Sequence, residues 1–442
     1  MPVNSSEHPT RRVVITGVGM ISPLGNDKEA FWQNVSAGRS GIGAVQSLPP
    51  GALPVNIAAE ARGFTGRVED FGPLEGEAKK HVRKGLKVMC RECQMGVAAA
   101  QLALFDAQLG PGKCDPDRGG VVYGSDYMIT EPDEFTSGII DCLDEQRKFH
   151  FSRWATRGMS KMNPLWLLKY LPNMPASHIA IYNDLRGPNN SITHREAAGN
   201  LAIGEAFRVI TRSHADVMVA GATGTRIHPM KALHAAMGED LAKGDDDPAK
   251  AARPFDLNRR GMVLGEGAGA VVLEALDAAE KRGATIYGEV LAASSSAVVD
   301  RTFVPHREEA LVNVMRSTLR EAGISPERVG HIHAHGLGTR RGDAEEVRAV
   351  RAVFGDRAET VPVTAAKSYF GNLGAGSGVV ELIASTLALR NNWLFPVLNY
   401  ETPDPECRLN VVRAAIDAGG CFLNLSVSPQ GQASCVLVRR FL

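Results

Sequence analysis

The feature that most constrains this chain is an alternation. Short apolar runs that close on glycine or a charge recur along it, and longer stretches of helical period lie between them. Arg12-Val13-Val14-Ile15-Thr16-Gly17 reads as a buried strand ending in a glycine turn. Similar runs stand at Gly120–Gly124, Asp216–Gly221, Ala270–Glu274, Glu289–Leu291 and Ser434–Val438. Helical patterns cover Lys80 to Phe105, Gly199 to Ser213, Glu308 to Ala322 and Gly378 to Asn391. Strands alternating with helices predict an α/β architecture. The 442 residues allow one large body or two to three domains, with ample chain for a core that needs no disulfide or metal. A composition change near Glu280 to Gly283 divides the chain into residues 1–280 and 281–442. The polar, charged segment Gly238 to Lys250, centred on Asp245-Asp246-Asp247-Pro248, reads as an exposed loop.

Charge and cysteine content narrow the function. Lys+Arg and Asp+Glu both number 49, so nothing global attracts nucleic acid or anionic lipid. Lys79, Lys80, Arg83, Lys84 and Lys87 form one local basic group, read as a solvated helix face. Met1 to Thr10 is polar without an apolar signal core, and no run approaches a membrane span, so a cytoplasmic location is expected. Seven scattered cysteines fit a reducing compartment. The lone Cys90/Cys93 pair reads as helical neighbours before it reads as half of a zinc site.

Three segments carry the chemistry. In Gly187–Asn200 a short strand runs through a turn into a helix, which presents side chains above the strand end. The helix start favours negative charge at Glu196, a residue that reads either as part of a reactive site or as a plain helix-start carboxylate. In His331-Ile332-His333-Ala334-His335 the three histidines share one strand face. Two of them could hold a metal, but no third ligand class is evident, and a single working histidine at the strand end, His335, is the simpler reading. In Thr364–Gly376 the glycines permit sharp turns and close backbone approach. Its Lys367-Ser368 precedes the glycines, which excludes a Walker A loop, and the spacing excludes a dinucleotide fingerprint. Lys367 reads either as a buried charge of the site or as a surface lysine.

These three segments, in this order, resemble the active-site segments of elongating β-ketoacyl-acyl-carrier-protein synthases, and the likeness covers nearly the whole chain. Arg12–Gly19 with Ser22-Pro23-Leu24-Gly25 is similar to the family's opening. Leu171–Met174 and Gly187-Pro188-Asn189 are similar to its approach to the nucleophile. Arg253-Pro254-Phe255-Asp256 and Gly265-Glu266-Gly267-Ala268-Gly269 match further on. The resemblance implies a thiolase fold, two similar α/β halves stacked in five layers (αβαβα). It implies an acyl carrier protein as partner, and a homodimer or a heterodimer with a cysteine-bearing ketosynthase. No cofactor or metal is implied. In the family a turn cysteine takes the acyl group, two histidines assist decarboxylation and condensation, and backbone N–H groups form the oxyanion hole.

Measured against that pattern, this chain departs at four places. Glu196 stands where the family has its cysteine, and a carboxylate is a poor acyl acceptor because a mixed anhydride is unstable to water. His335 keeps the first histidine position and Lys367 the supporting lysine, but Asn372 holds the second histidine position and cannot carry the proton. Of the two threonines that hold the pantetheine arm, Thr339 remains and the other position is Leu337. The glycine-rich final loop is replaced by Asn424–Gly431, with Ser428 and Pro429 where a flexible oxyanion loop is expected. Four changed parts of one machine point to a non-condensing homologue that acts like a chain-length factor in fatty acid or polyketide biosynthesis. A malonyl-thioester decarboxylase or another acyl-thioester enzyme using Glu196 and His335 ranks second. An ordinary 3-oxoacyl-acyl-carrier-protein synthase ranks last. Dimerisation is expected through Ser177 to Asn190, where the apolar run Ile179-Ala180-Ile181 lies and the family pairs a strand with its mate.

Overall fold

A computed structural model describes residues 11–243 and 247–441. Met1 to Thr10 and the centre of the Gly238–Lys250 segment lie outside the described residues. Among the described residues ten strands are three residues or longer: β1 (Val13–Ile21), β2 (Gly119–Ser125), β3 (Asn189–Ile192), β4 (Val217–Thr225), β5 (Glu266–Ala275), β6 (Gly288–Ala297), β7 (His331–His333), β8 (Pro362–Thr364), β9 (Cys421–Val427) and β10 (Gln432–Arg439). With a two-residue strand at Asn410–Val411 they form one mixed sheet, in which β8-β7-β9-β10-β6 is followed by β1-β5-β4-β2-β3. The six sequence-read strands are all present, most of them longer than their apolar runs.

The strand order repeats. Apart from the two-residue Asn410–Val411 strand outside β8, in each half the third strand is outermost, followed by the second, fourth, fifth and first: β3-β2-β4-β5-β1 and β8-β7-β9-β10-β6. In each half the first three of these run parallel and the last two antiparallel. The halves meet where β1 pairs with β6 over Val13 to Ile15.

Helices cover the strands in layers. Helix α1 (Arg91–Asp106) packs on β1, β5 and β4 from one side. Helix α2 (Met174–Asn183) packs on α1, and α3 (Ala198–Thr211) lies between the halves, against β4 and β2 of one and β6 of the other. A short helix α4 (Pro229–Gly238) follows β4. Helices α5 (Arg307–Ala322) and α6 (Arg340–Phe354) pack together outside the second half. Helix α7 (Ser377–Asn391) lies beside α3, touching both β5 and β9. Every residue from Ser377 to Leu389 is buried. A helix buried on all sides belongs in such a central layer, where its few polar side chains, Glu381 and Ser385 among them, find protein partners. The result is the α/β, five-layer thiolase-like arrangement. Among the described residues no helix is long and apolar enough to cross a membrane.

Two expectations change. The stretch Lys80 to Phe105 is not one helix. It breaks after Gly85, passes a 3₁₀ turn at Leu86–Val88, and restarts with Cys90 as an extended N-cap. Gly85 sits against Tyr182 so closely that a Cβ would fall 1.7 Å from its hydroxyl. Cys90 therefore caps a helix whose first turn holds Cys93, and both thiols are free. The basic group is, as read, largely the exposed face and end of helix Gly76–Gly85. The run Ile179–Ile181 lies in α2 and not in a strand: Ile179 is buried and Ile181 is 70% exposed. The strand of that region is β3, at the free end of the sheet.

Candidate active site

Parallel strands present their C-terminal ends on one side, and the residues just past those ends meet there. β3 delivers the turn of residues 193–197, where Arg195 has a left-handed backbone (φ 49°). Positive φ is uncommon for a residue other than glycine and marks a tightly determined turn. The next residue, Glu196, is 2% exposed.

β2 and β4 are parallel neighbours, so Asp126 and Arg226, each one residue past its strand end, come side by side. Arg226 Nη1 lies 3.0 Å from Asp126 Oδ2. Its Nη2 donates a short hydrogen bond to Glu196 Oε1. Both arginine and aspartate are fully buried. Gly374, with φ +62°, packs where a Cβ would lie 3.2 Å from Asp126 Oδ2 and 3.4 Å from Arg226 Nε.

Asn372 completes the clamp. Its Nδ2 donates to Glu196 Oε1 at 3.1 Å, and its Oδ1 accepts from Gly374 N at 3.0 Å and Ser377 Oγ at 3.2 Å. Arg195 Nε is 3.7 Å from the other Glu196 oxygen, so the adjacent pair contributes only a long contact. Burial alone would raise the Glu196 pKa. Arg226 outweighs it, with Arg195, the residue's own amide and Asn372, and holds the carboxyl well below the usual range. Glu196 is an ionised carboxylate whose Oε1 takes both hydrogen bonds, while the buried Oε2 has only the long contact with Arg195.

The histidine segment separates into two roles. His331 and His333 do share one face, where Ser385 Oγ meets His331 Nε2 at 3.0 Å and His333 Nδ1 at 2.8 Å. Their other nitrogens meet Ala418 O at 2.7 Å and Ala366 N at 3.2 Å. All four ring nitrogens are engaged by protein groups, so these two are core residues. His335 lies past the end of β7. Glu346 on α6 accepts the backbone N–H of His335 at 2.6 Å and of Gly336 at 2.8 Å. Lys367 Nζ is 3.3 Å from His335 Nδ1, donates to His335 O at 2.8 Å and pairs with Glu381. Lys367 is thus a buried charge of the site, 2% exposed. Burial, with Lys367 nearby, pushes the imidazole well below its ordinary pKa, which makes His335 neutral.

Glu196, His335, Asn372 and Leu337 line one cavity with Met262, Val427 and Pro429. Its volume is about 10 Å³, room for about one water. None of the seven cysteines lines it. Thr339 and Ser428 do not line it either. Thr339 caps α6, its Oγ accepting from Gly342 N at 3.2 Å. Ser428 opens a tight turn between β9 and β10, its N–H bonded to Gln432 O at 2.8 Å and its carbonyl accepting from Gly431 N at 3.1 Å. Sequence reading missed Arg226, Asp126, Glu346 and Glu381, and also Glu239 and Arg307 on the cavity wall. The available signal was position: Asp126 and Arg226 each follow an apolar strand run at its C-terminal end, where α/β sheets place their sites.

The sequence matches two family descriptions: "Beta-ketoacyl synthase, N-terminal domain" over residues 10–279, and "Beta-ketoacyl synthase, C-terminal domain" over residues 287–401. It is 36% identical over 403 residues to 3-oxoacyl-[acyl-carrier-protein] synthase 2 of Coxiella burnetii, covering 91% of each chain. It is 33% identical over 403 residues to the protein of the same name in Synechocystis, again covering 91% of each. Its fold is similar to the ishigamide ketosynthase/chain length factor, with a TM-score of 0.81 at 26% identity over 98% of this chain and 100% of that one. It is also similar to a β-ketoacyl synthase from Burkholderia phymatum, with a TM-score of 0.83 at 26% identity and the same coverage. Family descriptions matched over residues 10–279 and 287–401, with 33–36% identity over 91% of the chain, place this chain in the β-ketoacyl synthase family.

Proposed function

We propose that this chain is a non-condensing β-ketoacyl synthase homologue of fatty acid or polyketide biosynthesis. It acts on carrier-protein-bound acyl chains as the partner of a cysteine-bearing ketosynthase, in the manner of a chain-length factor. One observation carries the reading: the nucleophile position holds Glu196, a buried carboxylate kept ionised and anchored through Oε1 by Arg226 and Asn372. A group so held neither accepts an acyl chain nor takes a proton at neutral pH. The same clamp argues against the acid–base pair of Glu196 and His335. Asn372, the second-histidine position, gives one amide N–H to Glu196 and the other to Met262 Sδ at 3.4 Å, so both donors already face protein groups and not a malonyl carbonyl. Likeness to a ketosynthase/chain length factor supports the partner role. Likeness to a ketosynthase solved with its type II polyketide acyl-carrier protein supports a carrier-protein partner. The strand-order repeat supports a division into halves near residues 280/281. A cytoplasmic site of action belongs to the same proposal.

The proposal predicts a cysteine-bearing ketosynthase encoded beside this chain in its host, and the test is co-expression with that protein, followed by co-purification and a radiolabelled condensation assay. Stable association, with turnover by the pair and none by this chain alone, is expected. Condensation by this chain alone, or a folded protein that never associates with a ketosynthase, would overturn the proposal.

A further inference from the structure

Two recesses meet at Arg307. The inner one is the cavity of about 10 Å³ over Glu196, His335 and Asn372. The outer one holds about 470 Å³ and is lined by Val304, Pro305, His306, Arg341, Glu345 and Arg348 among others. Among the described residues Arg307 is the one side chain common to both linings. It is the first residue of α5 and only 9% exposed.

Its two carboxylate contacts are unequal. Arg307 Nε donates to Glu345 Oε2 on α6 at 2.6 Å. Arg307 Nη1 reaches Glu239 Oε1, at the end of α4, only at 3.4 Å. Charge-assisted hydrogen bonds are ordinarily far shorter than that. Glu345 is itself steadied by Arg341 Nε at 2.7 Å. The outward contact is therefore firm and the inward contact weak. Burial holds Glu239 above the usual carboxylate range despite Arg307 beside it, which fits a loosely engaged partner. Glu239 also lines the inner cavity, so the weak contact spans the wall between the two spaces.

We infer that Arg307 is a gate: it turns on its Glu345 contact, releases Glu239 and joins the outer recess to the cavity over His335 and Asn372. A long, flexible side chain anchored at one nitrogen can make that movement without shifting a helix. The gate governs access to the cavity and holds whether or not the chain condenses anything, so its test is independent of the reading above.

The test uses the full-length chain with Leu337→Cys as a reporter, since Leu337 lines the inner cavity and not the outer recess. Alkylation by iodoacetamide is timed by peptide mass mapping, with partly exposed Cys114 as the internal reference. Arg307→Ala and, separately, Glu239→Gln are added to the reporter. Arg307→Ala, which removes the gating side chain, should raise the rate at position 337 about tenfold, and Glu239→Gln, which releases only the long contact, about threefold, with Cys114 unchanged. Glu239→Gln preserves shape, so misfolding of Arg307→Ala, seen as a rise at Cys114, leaves the test intact. An unchanged rate at position 337 in folded Glu239→Gln would overturn the gate. So would an equal rise at Cys114 in that variant, which would report general loosening.

Discussion

Arg226 and Glu196 depend on each other. A buried guanidinium with two carboxylates gains enough from pairing to offset desolvation only while all partners remain. Arg226→Met strands Glu196 and Asp126, and should lower stability by about 3–5 kcal/mol in urea unfolding. Glu196→Gln leaves Arg226 with Asp126 and should cost no more than about 1–2 kcal/mol. If the two variants unfold at the same midpoint, the clamp is not the organising contact of the turn. Glu196→Cys alone should not restore condensation. The new thiol would face Arg226, which favours the thiolate, and weak acyl loading is expected. Asn372 still cannot carry a proton, and Val427 to Gln430 still form a tight turn. Members of one catalytic unit are strongly non-additive, so repairing one recovers little. A radiolabelled assay compares Glu196→Cys, that change with Asn372→His, and both with a Gly-Phe-Gly-Gly graft at Val427 to Gln430. Turnover by the single variant equal to that of an authentic ketosynthase would refute this. Intact mass of the native chain after exposure to acyl-carrier protein should show no increment on the Glu196 peptide.

At the scale of elements, α6 holds the histidine segment and β4 is held by its first turn. Glu346 satisfies two backbone N–H groups at the end of β7, and Glu346→Ala, which orphans both, should cost about 2–3 kcal/mol by chemical denaturation. Burial raises the Glu346 pKa to about 7. The native state then binds the extra proton, so this group's contribution falls as pH rises from about 4 to 7. Asp216, just before β4, behaves in the opposite sense. Hydrogen bonds from Arg118 and Arg11 lower its pKa to about 2. Its contribution is complete above about pH 4 and is lost as pH falls towards 2. Because the carboxylate is one-third exposed, screening limits it to about 1 kcal/mol. Asp216→Asn should flatten the acid limb of a stability–pH curve by that amount, and an unaltered limb would show that the cluster is not coupled to folding.

The whole molecule has one sheet end that invites a partner. β3 lies at the sheet terminus with Asn189 and Asn190 exposed, and Ile181 on the neighbouring helix α2 is 70% exposed. An open strand edge beside apolar surface is a template for pairing with another chain. We expect self-association or association with a ketosynthase through this end, large enough that dissociation accompanies unfolding. A stable folded monomer at micromolar concentration in light scattering, with no partner bound, would contradict it.

Sequence alone determined the features that reside in residue type and local period. Apolar runs such as Val13–Ile15 and Val271–Leu273 become strands because their side chains must be buried on both faces. The missing thiol and the Asn372 replacement are legible because chemistry follows residue identity. Tertiary structure alone decided where charges go. Nothing local to Glu239 or Arg307 distinguishes them from solvated residues, and Asp126 and Arg226 are marked only by their place after an apolar run; packing buries all four and brings them to the cavity or to the clamp beside it. The helix break before Cys90 was equally hidden, since the close approach of Tyr182 to Gly85 depends on a helix, Met174–Asn183, distant in the sequence. Whether Glu196 was a helix-start carboxylate or part of a site turned on Arg226 and Asn372, 30 and 176 residues distant, because ionisation in a buried place is fixed by the partners that the fold supplies.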